Sequence, residues 1–187
     1  PMNDAPSVAA RSVASPPSRR RYGARVTAND EQAKIWNESA GDAWVTHADH
    51  FDATLAPFGE AVIDRVAPAA GHRVIDIGCG TGATTIRLAS LVAPGTVTGV
   101  DLSVPMLAVA RWRAAVADAD NVGFVECDVQ SDDIAGGPYD LAFSRFGVMF
   151  FSDPVAAFSR IADRLVAGAG RLGFVCFQSP MENPFIG

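Results

Sequence analysis

The chain has 187 residues, 49% of them hydrophobic and 19% charged, which predicts one domain with a short appendage. No apolar run approaches the roughly 20 residues that a membrane-spanning helix needs, so a spanning segment is not expected. The net charge of −6 is uneven: residues 1–25 carry +4 and the remainder −10, and so acidic a body weighs against nucleic-acid partners.

Residues 1–27 read as a basic, disordered leader; its arginines are not followed by the apolar stretch of a secretory signal. Residues 28–70 read as a helical lid segment. A first helix there is capped by Asn29 or Asp30 and ends near Gly41. A second piece runs from Asp42 to Leu55, and a third helix covers 57–68 until Pro68 and Gly71 stop it.

From residue 71 to 187 short strand-like runs, the first of them β-branched, alternate with helical segments. Strands are predicted at 72–78, 96–103, 121–128, 139–146 and 170–177. Helices are predicted at 82–93, 104–119 and 153–167, and a turn or short helical piece at 131–138. Pro105 and Pro154 suit first helical turns, where the missing N–H costs nothing, and Asp153 suits a cap. The alternation predicts an α/β fold: a Rossmann-like, doubly wound parallel sheet with helices on both faces. Ligands of such sheets bind beyond the carboxyl ends of the strands.

The chemistry-bearing residues fall at those ends. In "VIDIGCGTGATT" (74–85), Gly78, Gly80 and Gly82 lack the Cβ that would hold a ligand off the backbone, and Cys79 lies between them in the same candidate cofactor turn. The spacing alone also fits a dinucleotide site. Asp76, just before the turn, would repel a pyrophosphate and attract a cationic amino-acid end, or would simply order the turn. Asp101, after the second strand, can accept from both ribose hydroxyls or cap the following helix. Asp128, after the third, can accept from an adenine amine, with Leu102, Met106 and Val129 as apolar walls.

These segments, with "VTGVDLS", "FVECDVQ" and "YDLAFSRFGVMFFSDP", resemble in order and spacing the motifs of class I S-adenosylmethionine-dependent methyltransferases over residues 30–187. The lid segment is similar to that of bacterial small-molecule methyltransferases distantly related to the ubiquinone/menaquinone C-methyltransferases. The resemblance implies S-adenosyl-L-methionine as cofactor. It places Asp76, Gly78, Gly80 and Gly82 at its methionine end, Asp101 at the ribose, and Asp128 with Val129 at the adenine. Ser144 and Arg145 then border the methyl group and a small-molecule acceptor. The family's sheet ends in an antiparallel hairpin. This sequence stops at "QSPMENPFIG" after the fifth strand, so the resemblance implies an incomplete domain with an open edge, where a second copy could pair as a homodimer.

His47 and His50, three apart in the lid segment, are the candidate bases. His72 starts a strand at the opposite end and reads as structural. Trp36 and Trp44 either wall the site or dock the lid, and Phe143, Phe146, Phe150 and Phe151 divide between acceptor pocket and core. The scattered cysteines Cys79, Cys127 and Cys176 form neither a metal pattern nor a disulfide framework, which predicts a cytoplasmic setting and no metal. Two other readings stay open: an NAD(P)-dependent oxidoreductase, which lacks a Tyr-x-x-x-Lys pair, and a non-catalytic nucleoside-binding or interaction protein.

Overall fold

A computed structural model describes residues 28–179 and residue 182; the leader expected at 1–27 lies outside the described residues. Five strands form one fully parallel sheet, in the order β3-β2-β1-β4-β5. They are β1 (Arg73–Ile77), β2 (Thr96–Asp101), β3 (Val122–Glu126), β4 (Leu141–Arg145) and β5 (Arg171–Val175). The chain winds outward from β1 to β3, then returns to lay β4 on the other side of β1. The carboxyl ends of β1 and β4 therefore flank the point where strand order reverses, the usual ligand position in such sheets.

Period-two alternation puts neighbouring residues of β1 into two separate cores. Val74 joins Leu88 and Val92 of α4 (Ala83–Val92), Ile63 and Val66 of α3 (Ala48–Val66), and Phe143. Ile75 and Ile77 face the other way, toward Tyr139 and Ile161, the latter from α6 (Pro154–Asp163). The remaining helix of this part, α5 (Val104–Val116), packs against β3 and beside α4 through Met106, Leu107 and Ala110. Its cap is Ser103, not Asp101: the Ser103 hydroxyl accepts from Met106 N–H at 3.4 Å. Asp153 caps α6 as expected, accepting from Ala156 N–H at 2.9 Å, with Pro154 opening the helix.

The segment expected to form a lid, residues 28–70, is helical but divided differently from the expectation. α1 (Ala28–Asn37) ends four residues before Gly41, and α2 (Ser39–Thr46) contains that glycine. A Cβ on Gly41 would run into the backbone carbonyl of Trp36, so the glycine serves close packing of α2 on α1 rather than helix termination. The Asn37 side chain ends α1 by donating to Leu102 O at 2.8 Å and accepting from Val104 N–H at 2.9 Å. α3 then runs for 19 residues straight through Pro57, where a helix start was expected. Proline removes one helical hydrogen bond there, and the buried face of Gly59, Ile63 and Val66 carries the helix past it. Residues 131–138 form neither helix nor strand, Tyr139 makes a single bridge to Leu165, and a short 3₁₀ helix (Gly147–Phe150) follows β4.

Candidate functional site

A cleft of about 940 Å³, counting the part open to solvent, runs along the carboxyl ends of β1, β2 and β4. Its floor begins at the turn after β1. Gly78 has φ +67°, and a Cβ there would lie 2.7 Å from the Cα of Gly147, so the turns after β1 and β4 stand back to back. Only glycine allows both the positive φ and the approach. Gly80 donates its N–H to Asp101 Oδ2 at 2.7 Å, while Asp101 Oδ1 accepts from Ser103 N–H at 2.9 Å. One carboxylate thus ties the glycine turn to the end of β2. Burial pushes the Asp101 pKa up, against the N–H groups of Ser103, Gly80 and Leu102.

Asp76 lies beneath the turn, 1% exposed, accepting from Thr85 Oγ1 at 2.7 Å. Burial raises its pKa to about 6; the Thr85 hydrogen bond and the Arg145 charge oppose that rise, and Asp101 adds to it. Asp128 lines the far end, its oxygens accepting from Gln130 N–H and Ser131 Oγ, both at 2.9 Å. Leu102, Met106, Cys127 and Val129 supply apolar walls between these acids, and Cys79 lines the turn. The roof comes from α1 and α2: Trp36 meets Phe150 edge-on at 5.0 Å and Trp44 at 5.9 Å.

The cleft therefore gathers Asp76, Gly78, Cys79, Gly80, Asp101, Leu102, Met106, Asp128, Val129 and Arg145 from the sequence reading. Four residues singled out there stand elsewhere. Gly82 packs on α5, where a Cβ would come 2.8 Å from that of Ala110. Ser144 is fully buried below the floor, donating to Ile77 O at 2.8 Å and accepting from Val148 N–H at 3.2 Å, so it braces the 3₁₀ turn. His47 and His50 are exposed at the junction of α2 and α3, and neither lines the cleft. Of the phenylalanines, Phe143 is core, whereas Phe146, Phe150 and Phe151 line the cleft.

Arg145 reaches from β4 to Asp52 of α3, Nη2 to Oδ1, at 2.6 Å. Asp52 Oδ2 also accepts from Arg113 Nη1 of α5 at 2.7 Å. Arg113 continues to Thr81 Oγ1 of the glycine turn at 3.0 Å and to Asp49 at 2.6 Å. One carboxylate of α3 thus joins two guanidinium groups and, through them, β4, α5 and the glycine turn. Sequence reading missed Asp52, Arg113 and Thr81, whose separations of 29 to 93 residues leave no local pattern.

Residues 74–168 match the family model described as a methyltransferase domain. Aklanonic acid methyltransferase DauC of Streptomyces sp. (strain C5) is 33% identical over 68% of this chain and 56% of its own length. The ubiquinone/menaquinone biosynthesis C-methyltransferase UbiE of Roseobacter denitrificans is 33% identical over 67% of this chain and 50% of its own. The chain thus spans about half the length of these curated relatives. Among solved structures, phosphoethanolamine N-methyltransferase 2 of Haemonchus contortus, in complex with phosphomonomethylethanolamine and S-adenosylhomocysteine, aligns with a TM-score of 0.58 at 33% identity. That alignment covers 63% of this chain and 27% of the other. With the family model matching half of its residues, on a parallel sheet wound in this order, the chain belongs to the class I S-adenosylmethionine-dependent methyltransferases.

Proposed function

We propose that this chain binds S-adenosyl-L-methionine in the cleft and directs its methyl group to a small-molecule acceptor. The observation that carries the reading is the row of acids Asp76, Asp101 and Asp128 along one cleft, at the ends of three neighbouring strands, with Asp101 anchored to the glycine turn. The donor set fits the cofactor: Asp101, beside the N–H groups it holds, keeps acceptor capacity for a ribose hydroxyl, Asp128 stands among apolar walls suited to an adenine, and the charge of Asp76 complements an ammonium or sulfonium. When bound, the cofactor supplies a methyl group on a good leaving group, so the protein's task is alignment and exclusion of water. Residues 28–70 act as the lid, with Trp36 and Trp44 closing over the cleft. The relatives named for aklanonic acid and for ubiquinone/menaquinone biosynthesis support a small-molecule acceptor.

The NAD(P) reading is disfavoured by Asp76 beside the turn. Tyr139 has Phe143 four positions on, and its hydroxyl is spent on Ala135 O at 2.6 Å. Calorimetric titration with S-adenosylhomocysteine and with NAD tests the proposal: binding of the former alone supports it, and binding of NAD alone would overturn it. A specific observation also favours association of two copies. Among the described residues β5 is an edge strand, and Phe174 within it and Phe177 just after it are 43% and 39% exposed. Light scattering after size exclusion checks this: a monomer at high concentration would refute edge pairing.

A further inference from the structure

Resting on the methyl-transfer reading, we infer that Arg145 holds the acceptor through an ionised oxygen, so that the substrates are acids such as phenols, enols or carboxylic acids rather than amines. Arg145 is the single cation lining the cleft among the described residues, and no histidine lines it. Asp76 and Asp101 are buried and held by Thr85, Gly80 and Ser103, and Asp128 stands at the β3 end. A neutral acceptor that must lose its proton during transfer therefore finds no base on the β4 side, where Arg145 stands. A cationic amine would meet the guanidinium and be repelled.

The guanidinium is built to receive an anion. Its stem lies against Gly59, where a Cβ would come 3.2 Å from Arg145 Cδ, so α3 leaves room for it. Its side chain is 12% exposed, and among the described residues only Nη2 is spent, on Asp52. Guanidinium carries five donors, so a paired face remains for an oxyanion. Asp52 is shared with Arg113, which Asp49 also pairs, and it takes up one of the five N–H groups of Arg145. The other charged groups facing this region are Asp76 below, Asp49 on Arg113, and Glu60 with Arg87, which are paired with each other. The acceptor's proton leaves to water on binding. The later bond, from the acceptor oxygen or a carbon conjugated to it to the methyl carbon, leaves the electron pair of the broken carbon–sulfur bond on sulfur and needs no base.

The test uses the chain saturated with S-adenosylhomocysteine and para-nitrophenol as a coloured probe of ionisation. The expected result is an apparent probe pKa about one unit or more below its free value. Arg145→Gln should abolish that shift and weaken probe binding at least tenfold, with the Kd for S-adenosylhomocysteine changed less than twofold. Asp52→Asn, which removes the competing carboxylate but keeps the cation, should deepen the shift, whereas a merely structural role would make both variants lose it. An unshifted probe in the wild type, or a shift that survives Arg145→Gln, would overturn the inference. So would a tenfold loss of S-adenosylhomocysteine affinity in Arg145→Gln, because the cation would then serve the cofactor's own carboxylate. Failure of S-adenosylhomocysteine to bind the wild type would instead overturn the underlying methyl-transfer reading, and this inference with it.

Discussion

Asp76→Asn should make the protein more stable and its cofactor site worse. The Asp76 carboxyl is 1% exposed and burial lifts its pKa from 3.8 to about 6. A raised carboxyl pKa means that the folded chain holds the proton more tightly than the unfolded chain. Stability from this group is therefore greatest below pH 3.8 and is lost as pH rises toward 6. About two pKa units at 1.36 kcal/mol each amount to a penalty of roughly 3 kcal/mol at pH 7.5, of which about half remains at pH 5. Asparagine keeps an oxygen for the Thr85 hydroxyl and carries no charge. Urea denaturation followed by tryptophan fluorescence should show the variant about 1–3 kcal/mol more stable at pH 7.5, with the difference shrinking as pH falls. Over the same window the wild-type Kd for S-adenosylhomocysteine should rise as pH drops below about 6, approaching tenfold per unit, because protonated Asp76 no longer attracts the ammonium. A variant less stable at pH 7.5, or a pH-independent difference, would refute the reasoning.

Gly78→Ala must strain a φ of +67° and push a methyl to within 2.7 Å of Gly147, so a loss of at least about 2 kcal/mol is expected in urea titrations, with weakened S-adenosylhomocysteine binding. Ser103→Ala removes the cap of α5 and the 2.7 Å hydrogen bond to Trp36 O that holds α1 down; calorimetric melting should show a loss of about 1–2 kcal/mol. The double variant His47→Gln/His50→Gln should leave both the S-adenosylhomocysteine Kd and the ionisation of bound para-nitrophenol within twofold of wild type.

The parallel sheet was legible because each strand is a short apolar run, β-branched in β1 and β2, and because helices of 10 to 13 residues separate several of them. The acids of the candidate site were legible as cleft-lining residues for the same reason: strand ends are local features, and Asp76, Asp101 and Asp128 sit on them. The helices of residues 28–70 were read less well. Gly41 and Pro57 carry the local signals of helix ends, yet Gly41 serves a backbone approach within α2, and tertiary packing carries α3 past Pro57. Ser144 and Gly82 lie inside motifs whose neighbours face the cleft, but strand alternation and helix packing turn these two away from it. The bridge of Asp52 to Arg113 and Arg145 joins α3, α5 and β4, a pairing that no window of sequence contains.

The most direct measurement is the Kd of S-adenosylhomocysteine, by isothermal titration, for the wild type and for Asp101→Asn. Losing a charged acceptor of ribose hydroxyls should weaken binding at least tenfold, about 1.4 kcal/mol or more, while thermal melting shows the variant folded. An unchanged Kd in a folded Asp101→Asn protein would contradict the placement of the nucleoside at the end of β2.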